Sequence, residues 1–165
     1  VETSGIDFRV DYGFELAKLV DTDGRIEFTI NGTNFLKNDE VRDVSAPDEV
    51  TDVLGTFGRP EWIVNMSADY IIGELVVGWR GRYEGSQLLP GLENQDIESD
   101  PDFISQTHTG SALVHDFSVS YTFEDSLEVY GGINNAFEED PYLGTLSRPA
   151  GPRGRFFYLG VNYTM

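Results

Sequence analysis

The chain has 165 residues, with 29 acids against 11 bases and a formal net charge of -18. One domain of ordinary size fits that length, 39% apolar residues suffice for an ordered structure, and the acidic balance excludes a binder of the nucleic-acid backbone, which wants a basic face. Cysteine is absent, which excludes a disulfide scaffold, a thiolate metal site and cysteine catalysis, and fits a chain exported through an oxidising compartment.

Aromatics reach 13% beside 18 glycines, a mixture typical of pleated sheets with tight turns. From Ile6, the even positions give Ile6, Phe8, Val10, Tyr12, Phe14 and Leu16. The odd ones give Asp7, Arg9, Asp11, Gly13, Glu15 and Ala17. Such alternation predicts a long strand with one apolar and one polar face. The turn Asp21-Thr22-Asp23-Gly24 leads into Ile26, Phe28 and Ile30, set against Arg25, Glu27, Thr29 and Asn31. An acidic stretch from Asn38 to about Arg59, with Asp39, Glu40, Asp43, Asp48, Glu49 and Asp52, is predicted to be a loop.

The pattern then repeats. Trp62, Val64, Met66, Ala68 and Tyr70 oppose Ile63, Asn65, Ser67 and Asp69. A tight turn at Gly73-Glu74 precedes Leu75, Val77, Trp79, Gly81 and Tyr83, whose opposite face carries Arg80, Arg82 and Glu84. After a second polar segment, Leu88 to Gly110, the residues Leu113, His115, Phe117, Val119, Tyr121 and Phe123 oppose Val114, Asp116, Ser118, Ser120 and Thr122. The turn Glu124-Asp125-Ser126 gives Leu127, Val129, Gly131 and Ile133 against Glu128, Tyr130, Gly132 and Asn134. A third loop, Glu138 to Gly154, precedes Phe157, Leu159, Val161, Tyr163 and Met165. Seven strands are predicted, joined alternately by short turns and long loops, with no helix of useful length and no second domain.

Alternation alone does not say what meets the apolar face. In a soluble sandwich it points into a core; in a membrane barrel it meets lipid and the polar face lines a wet interior. Three features favour the membrane. The strands approach eleven residues, about the length of a tilted bilayer span. Long and short connections alternate, as on the two rims of an outer-membrane barrel. Aromatics near the strand ends, Tyr12, Phe14, Trp62, Tyr70, Tyr83, Phe123 and Tyr163, fall on the apolar face like an interfacial girdle.

The segment Leu127-Glu128-Val129-Tyr130-Gly131-Gly132-Ile133-Asn134-Asn135-Ala136-Phe137-Glu138-Glu139-Asp140-Pro141 resembles the penultimate strand of TonB-dependent outer-membrane receptors. There a Gly-Val-Asn-Asn-Leu-Phe-Asp-type run ends in an acidic-Pro step. The closing Gly-Arg-Phe-Phe-Tyr-Leu-Gly-Val-Asn-Tyr-Thr-Met is similar to their last strand and to the C-terminal assembly signal of outer-membrane proteins, carried here by Gly160, Tyr163 and Met165. Met165 stands where Phe is usual and Ala136 where Leu is common. Ser4-Gly5-Ile6-Asp7-Phe8 and Arg59-Pro60-Glu61-Trp62 also look familiar, so the likeness covers the chain, with its specific motif confined to Leu127–Met165.

The resemblance implies a barrel of about 22 strands around an N-terminal plug. At about ten residues per strand, 165 residues are too few for that, and nothing in them resembles a plug. Val1 opens the sequence with no signal peptide before it, and the expectation is the C-terminal third of such a receptor. The implied function is active uptake of a scarce nutrient, a ferric siderophore, cobalamin or an oligosaccharide, across the outer membrane of a Gram-negative bacterium. The implied partners are outer-membrane lipid and lipopolysaccharide, the TonB energy-transducing complex through the missing N-terminal part, the outer-membrane assembly machinery and the nutrient ligand. The alternatives are a small standalone outer-membrane barrel or a soluble β-sandwich that binds a ligand.

Candidate lumen-facing polar residues are Asp7, Arg9, Asp11, Arg80, Arg82, Glu84, Asp116 and Glu128. Against contacts to plug or substrate stands mutual pairing on a wet wall, worth little per pair. The carboxylates Asp96, Glu98, Asp100 and Asp102 lack the Gly and distal Glu of a calcium loop and read as a solvated charge run. His108 and His115 are too few and too far apart for a catalytic or metal constellation. No cofactor, metal site or enzymatic motif is expected. Because an odd number of hairpin-joined strands cannot close an all-antiparallel barrel, the expected form is an open curved sheet with edges near Gly5 and Met165.

Overall fold

The computed structural model describes residues 2–18, 23–89, 92, 107–124, 126–142, 149–150 and 153–164. The strands are β1 (Glu2–Glu15), β2 (Arg25–Val41), β3 (Val50–Asp52), β4 (Trp62–Ile72), β5 (Leu75–Glu84), β6 (Ala112–Phe123), β7 (Leu127–Asn134) and β8 (Phe156–Tyr163). They form one antiparallel sheet in the order β1-β2-β4-β5-β6-β7-β8, with β3 paired only to β2. No described helix is long and apolar enough to cross a membrane, which says nothing of a β-barrel.

The eighth strand corrects the expected count. β2 is 17 residues long and runs past its last pair with β4, Asn34 opposite Trp62. The backbone groups beyond that point would be left unpaired on one side. The acidic stretch folds back to meet them, with Val50, Thr51 and Asp52 opposite Val41, Glu40 and Asp39. At the other end, Leu16 and Ala17 leave the predicted first strand for a 3-10 turn over Leu16–Lys18. The Leu16 N–H returns to the Gly24 carbonyl at 2.8 Å and closes that hairpin. The two-residue turn at Gly73-Glu74 is as expected. Gly73 has φ +53, a left-handed value that an L side chain rarely adopts.

The sheet does not close. Among the described residues β1 pairs only with β2, and β8 only with β7. The extra strand is a short ribbon on the β2 extension and joins neither edge.

Register sorts the side chains, because directly opposed residues share a face. One row runs Tyr12, Phe28, Ala68, Trp79, Phe117, Ile133, Phe157, and the next runs Phe14, Ile26, Tyr70, Val77, Val119, Gly131, Leu159. The opposite face carries Asp11, Thr29, Ser67, Arg80 and Asp116 in one row and Glu27, Asp69, Gly78, Ser118, Gly132 and Tyr158 in another. The alternation read from sequence therefore holds across every strand of the main path as a two-face partition.

Nothing described packs as a second sheet on the apolar face. Val119 is 46% exposed, Val161 60% and Leu159 81%. Apart from strand glycines, the buried residues lie instead at the long-loop rim: Val53 and Pro60 from the first loop, Gln87 from the second, Tyr142 and Ala150 from the third, and Ala112 and Val114 beneath them. The Gln87 Oε1 accepts from the Gly58 N–H at 2.6 Å, Leu88 N–H donates to the Gly55 carbonyl at 2.8 Å, and Phe57 meets Tyr142 edge to face at 6.3 Å. Three loops thus interlock over one end of the sheet, on its polar side. This explains two apolar residues in a polar register: Val114 lies opposite Arg82, and Ala112 opposite buried Glu84, under the loop cap rather than in water.

Candidate functional site

All eight polar residues singled out from the sequence sit on one face. Asp7 lies opposite Thr33, Arg9 opposite Asn31, Asp11 opposite Thr29, Arg80 opposite Asp116, Arg82 opposite Val114, Glu84 opposite Ala112, and Glu128 opposite Asn162. Most are absorbed by neighbours. Arg9 makes a two-pronged contact with Asp11 at 2.6 and 2.8 Å, and the Thr29 hydroxyl donates to the same carboxylate at 2.7 Å. Thr33 donates to Asp7 at 2.5 Å, and the Asn162 amide to Glu128 at 2.9 Å. Arg80 forks onto Asp69 at 2.7 and 2.9 Å. That fork needs the space above Gly78, where a Cβ would meet the Ser118 hydroxyl and the Asp69 carboxylate.

Glu84 differs from its register mates, being only 6% exposed beneath the loops. Arg82 differs as well: its guanidinium donates to the carbonyl of Pro149 from the third loop, not to a carboxylate. Arg82, Asp116, Asn134, Asn135, Arg153 and Phe156 border a recess of about 470 Å³ between β5, β6, β7, the start of β8 and that loop. Sequence reasoning missed Arg153 and the asparagines as parts of a site. The polar register and the end of β7 place the asparagines there, but no spacing signal finds Arg153, which the loop brings in from the other side.

The Asn-Asn run has a structural explanation. Asn135 takes a left-handed φ of 50, and its side chain clamps the Glu139 backbone in both directions at 2.8 Å. Its N–H donates to Asp116 at 2.7 Å, and the Ala136 N–H to the His115 carbonyl at 2.7 Å. An asparagine both tolerates that backbone and supplies the clamp, so it ends β7 and aims the third loop. The nearby glycines make room for tyrosines. The Tyr130 ring lies where a Gly160 Cβ would be, and the Tyr158 hydroxyl and ring crowd the same space at Gly132. Gly160 is thereby tied to β7 packing. Tyr163 lies on the apolar face opposite Leu127, and Met165 lies outside the described residues.

On the apolar face, the seven predicted girdle aromatics share one side. Tyr12, Phe14, Tyr70, Phe123 and Tyr163 lie toward the short turns, and Trp62 and Tyr83 toward the loops. His115 also lies here, and its polarity is met locally: the Trp79 indole N–H donates to its Nδ1 at 3.0 Å, and Phe137 packs against its ring at 4.9 Å.

In the first loop the Ser45 hydroxyl and N–H both bond the Asp43 carboxylate, at 2.6 and 2.8 Å, and hold it below the ordinary carboxylate range. No group of acidic or histidine side chains suited to a metal ion occurs among the described residues. The acidic run at Asp96, Glu98, Asp100 and Asp102 lies outside them.

No curated protein matches the chain. The family described as TonB dependent receptor-like, beta-barrel matches residues 1–136, most of the length, and its description agrees with the open antiparallel sheet and its segregated faces. The chain belongs to the TonB-dependent receptor-like β-barrel family.

Proposed function

We propose that this chain is the C-terminal part of the barrel wall of an outer-membrane receptor, not an enzyme, which imports a scarce nutrient by TonB-coupled transport. The observation that carries the reading is the exposed apolar face. Ile6, Val10, Tyr12, Val77, Val119, Leu159 and Val161 form one continuous surface with nothing packed on it among the described residues. A surface of that extent in water would be an aggregation liability, whereas in a bilayer it is the lipid-facing wall. Both sheet edges present unpaired backbone. In the intact receptor β1 pairs with a preceding strand and β8 with the barrel's first strand, while an N-terminal plug fills the lumen.

On this reading the polar face lines the lumen, and Asp7, Arg9, Asp11, Arg80, Arg82, Glu84, Asp116 and Glu128 belong to its wall. Lipid and lipopolysaccharide surround the outside, and the assembly machinery recognises the last strand. The test is uptake by a Gram-negative host with and without the full-length receptor, in TonB-competent and TonB-deficient backgrounds. Labelled ferric siderophores, cobalamin and oligosaccharides serve as the panel. Receptor-dependent, TonB-dependent accumulation of one member is expected. A full-length protein that stays in the soluble fraction when made without detergent contradicts the reading.

A further inference from the structure

We infer that the recess bordered by Arg82 and Arg153 is a carboxylate site, and that the nutrient enters carrying a carboxylate; this rests on the receptor reading above. In a chain with 29 acids and 11 bases, arginines readily find carboxylates. Arg9 pairs with Asp11, Arg25 with Glu27, Arg42 and Arg59 with Glu40, Arg80 with Asp69, and Arg155 with Glu138. Among the described arginines Arg82 and Arg153 have no ion pair, and both line the same recess.

Each is anchored by a group that leaves its charge uncompensated. Arg82 is held by the Pro149 carbonyl, and Arg153 lies over the Phe156 ring, 5.7 Å from its centre. A guanidinium fixed through one nitrogen or through its flat face keeps donors for a planar, two-oxygen acceptor. Asp116, the recess's own carboxylate, is already engaged by the Asn135 N–H at 2.7 Å. Among the described lining residues, two guanidiniums against one carboxylate leave a single positive charge, which one further carboxylate neutralises.

A volume of about 470 Å³ suits a piece of a small molecule. The recess lies at the long-loop rim of the polar face, with Ala150, Arg153 and Gly154 of the third loop in its wall. That placement favours a ligand arriving through the loops over a side chain of the plug, which shares the same chemistry.

The test uses the full-length receptor in detergent, with citrate as probe and its neutral triethyl ester as control at matched ionic strength. The readout is the thermal midpoint of the folded, heat-modifiable form. Citrate should raise the midpoint saturably in the millimolar range and the ester should not. R82Q/R153Q should weaken the apparent citrate affinity at least tenfold, read as the citrate-induced rise above that variant's own ligand-free midpoint, and R82K/R153K should retain part of the effect. No saturable citrate response in the unaltered receptor, or an equal response in R82Q/R153Q, overturns the inference. A lower ligand-free midpoint in R82Q/R153Q, with no citrate response in the parent, assigns the pair to a plug carboxylate and overturns it too. A receptor that assembles and imports yet ignores citrate refutes this inference alone; failure to assemble in the membrane refutes the receptor reading.

Discussion

Placing a charge at Val119 distinguishes a lipid wall from a water-exposed one. The apolar residues of β6 run from Leu113 to Phe123. Ten steps of about 3.4 Å make about 34 Å of strand. Tilted by about 45°, they cover about 24 Å along the bilayer normal, close to the apolar band of about 25 Å expected for an outer-membrane barrel. Val119 falls about 2 Å from the middle of that span by the same arithmetic. Its face offers an arginine no partner: Val77 and Gly131 lie directly opposite on the two sides, and Phe117 and Tyr121 lie above and below. Val119→Arg should therefore cost about 2–4 kcal/mol, which is roughly 30- to 900-fold in the folding equilibrium.

Ser118 is one residue away and points the other way. It faces Gly78, beyond which lies the Asp69 carboxylate, and Ser118→Arg should cost clearly less, about 1 kcal/mol, because it crowds the Arg80 fork but keeps its charge on the polar face. The assay is folding of the full-length receptor into lipid vesicles across a urea series, scored by the heat-modifiable band. Equal costs at the two positions would refute the assignment of faces.

Three further outcomes follow from the geometry. Gly160→Val should destabilise by about 1–3 kcal/mol through collision with Tyr130, and adding Tyr130→Ser should recover most of the loss in the same urea series; no recovery would mean that the glycine acts otherwise. Deleting residues 163–165 should abolish surface-exposed folded receptor in whole cells, since the terminal apolar pair is what resembles the assembly signal; wild-type display would contradict this. Ser45→Ala should raise the Asp43 pKa part of the way toward the ordinary carboxylate value in a 13C-detected titration, because it removes the hydroxyl bond, the larger cause of the lowering, and leaves the N–H bond in place. The sign follows from that lowering: the Asp43 contribution to loop order is present above the unfolded pKa, and it is lost as pH falls through the folded one.

What the sequence revealed and what it hid follow from the range of the interactions involved. Face assignment was legible because a period-two pattern depends only on neighbouring residues, and Phe8, Val77, Val119 and Val161 share one face opposite Asp11, Arg80, Ser118 and Asn162. The strand β3 was not legible. Three residues carry no period, and their pairing depends on how far β2 outruns β4. The loop core was hidden for the same reason: Val53 and Gln87 are buried by each other's loops, not by local pattern.

Arg80 and Arg82 make the point most sharply for the site. Two apart in one register, they are equivalent in sequence. One is committed to Asp69, and the other is turned to a backbone carbonyl of a loop more than sixty residues away.

The most direct measurement of the central claim is nitroxide accessibility in the full-length receptor reconstituted in lipid. Single cysteines are introduced in turn at positions 77, 119 and 161 and at positions 80, 118 and 162, within a stretch that has no cysteine of its own. The first three labels should be relaxed by oxygen, which concentrates in the bilayer, and the second three by a polar nickel complex from the aqueous lumen. Polar relaxation at 77, 119 and 161, or no difference between the two sets, would contradict the account.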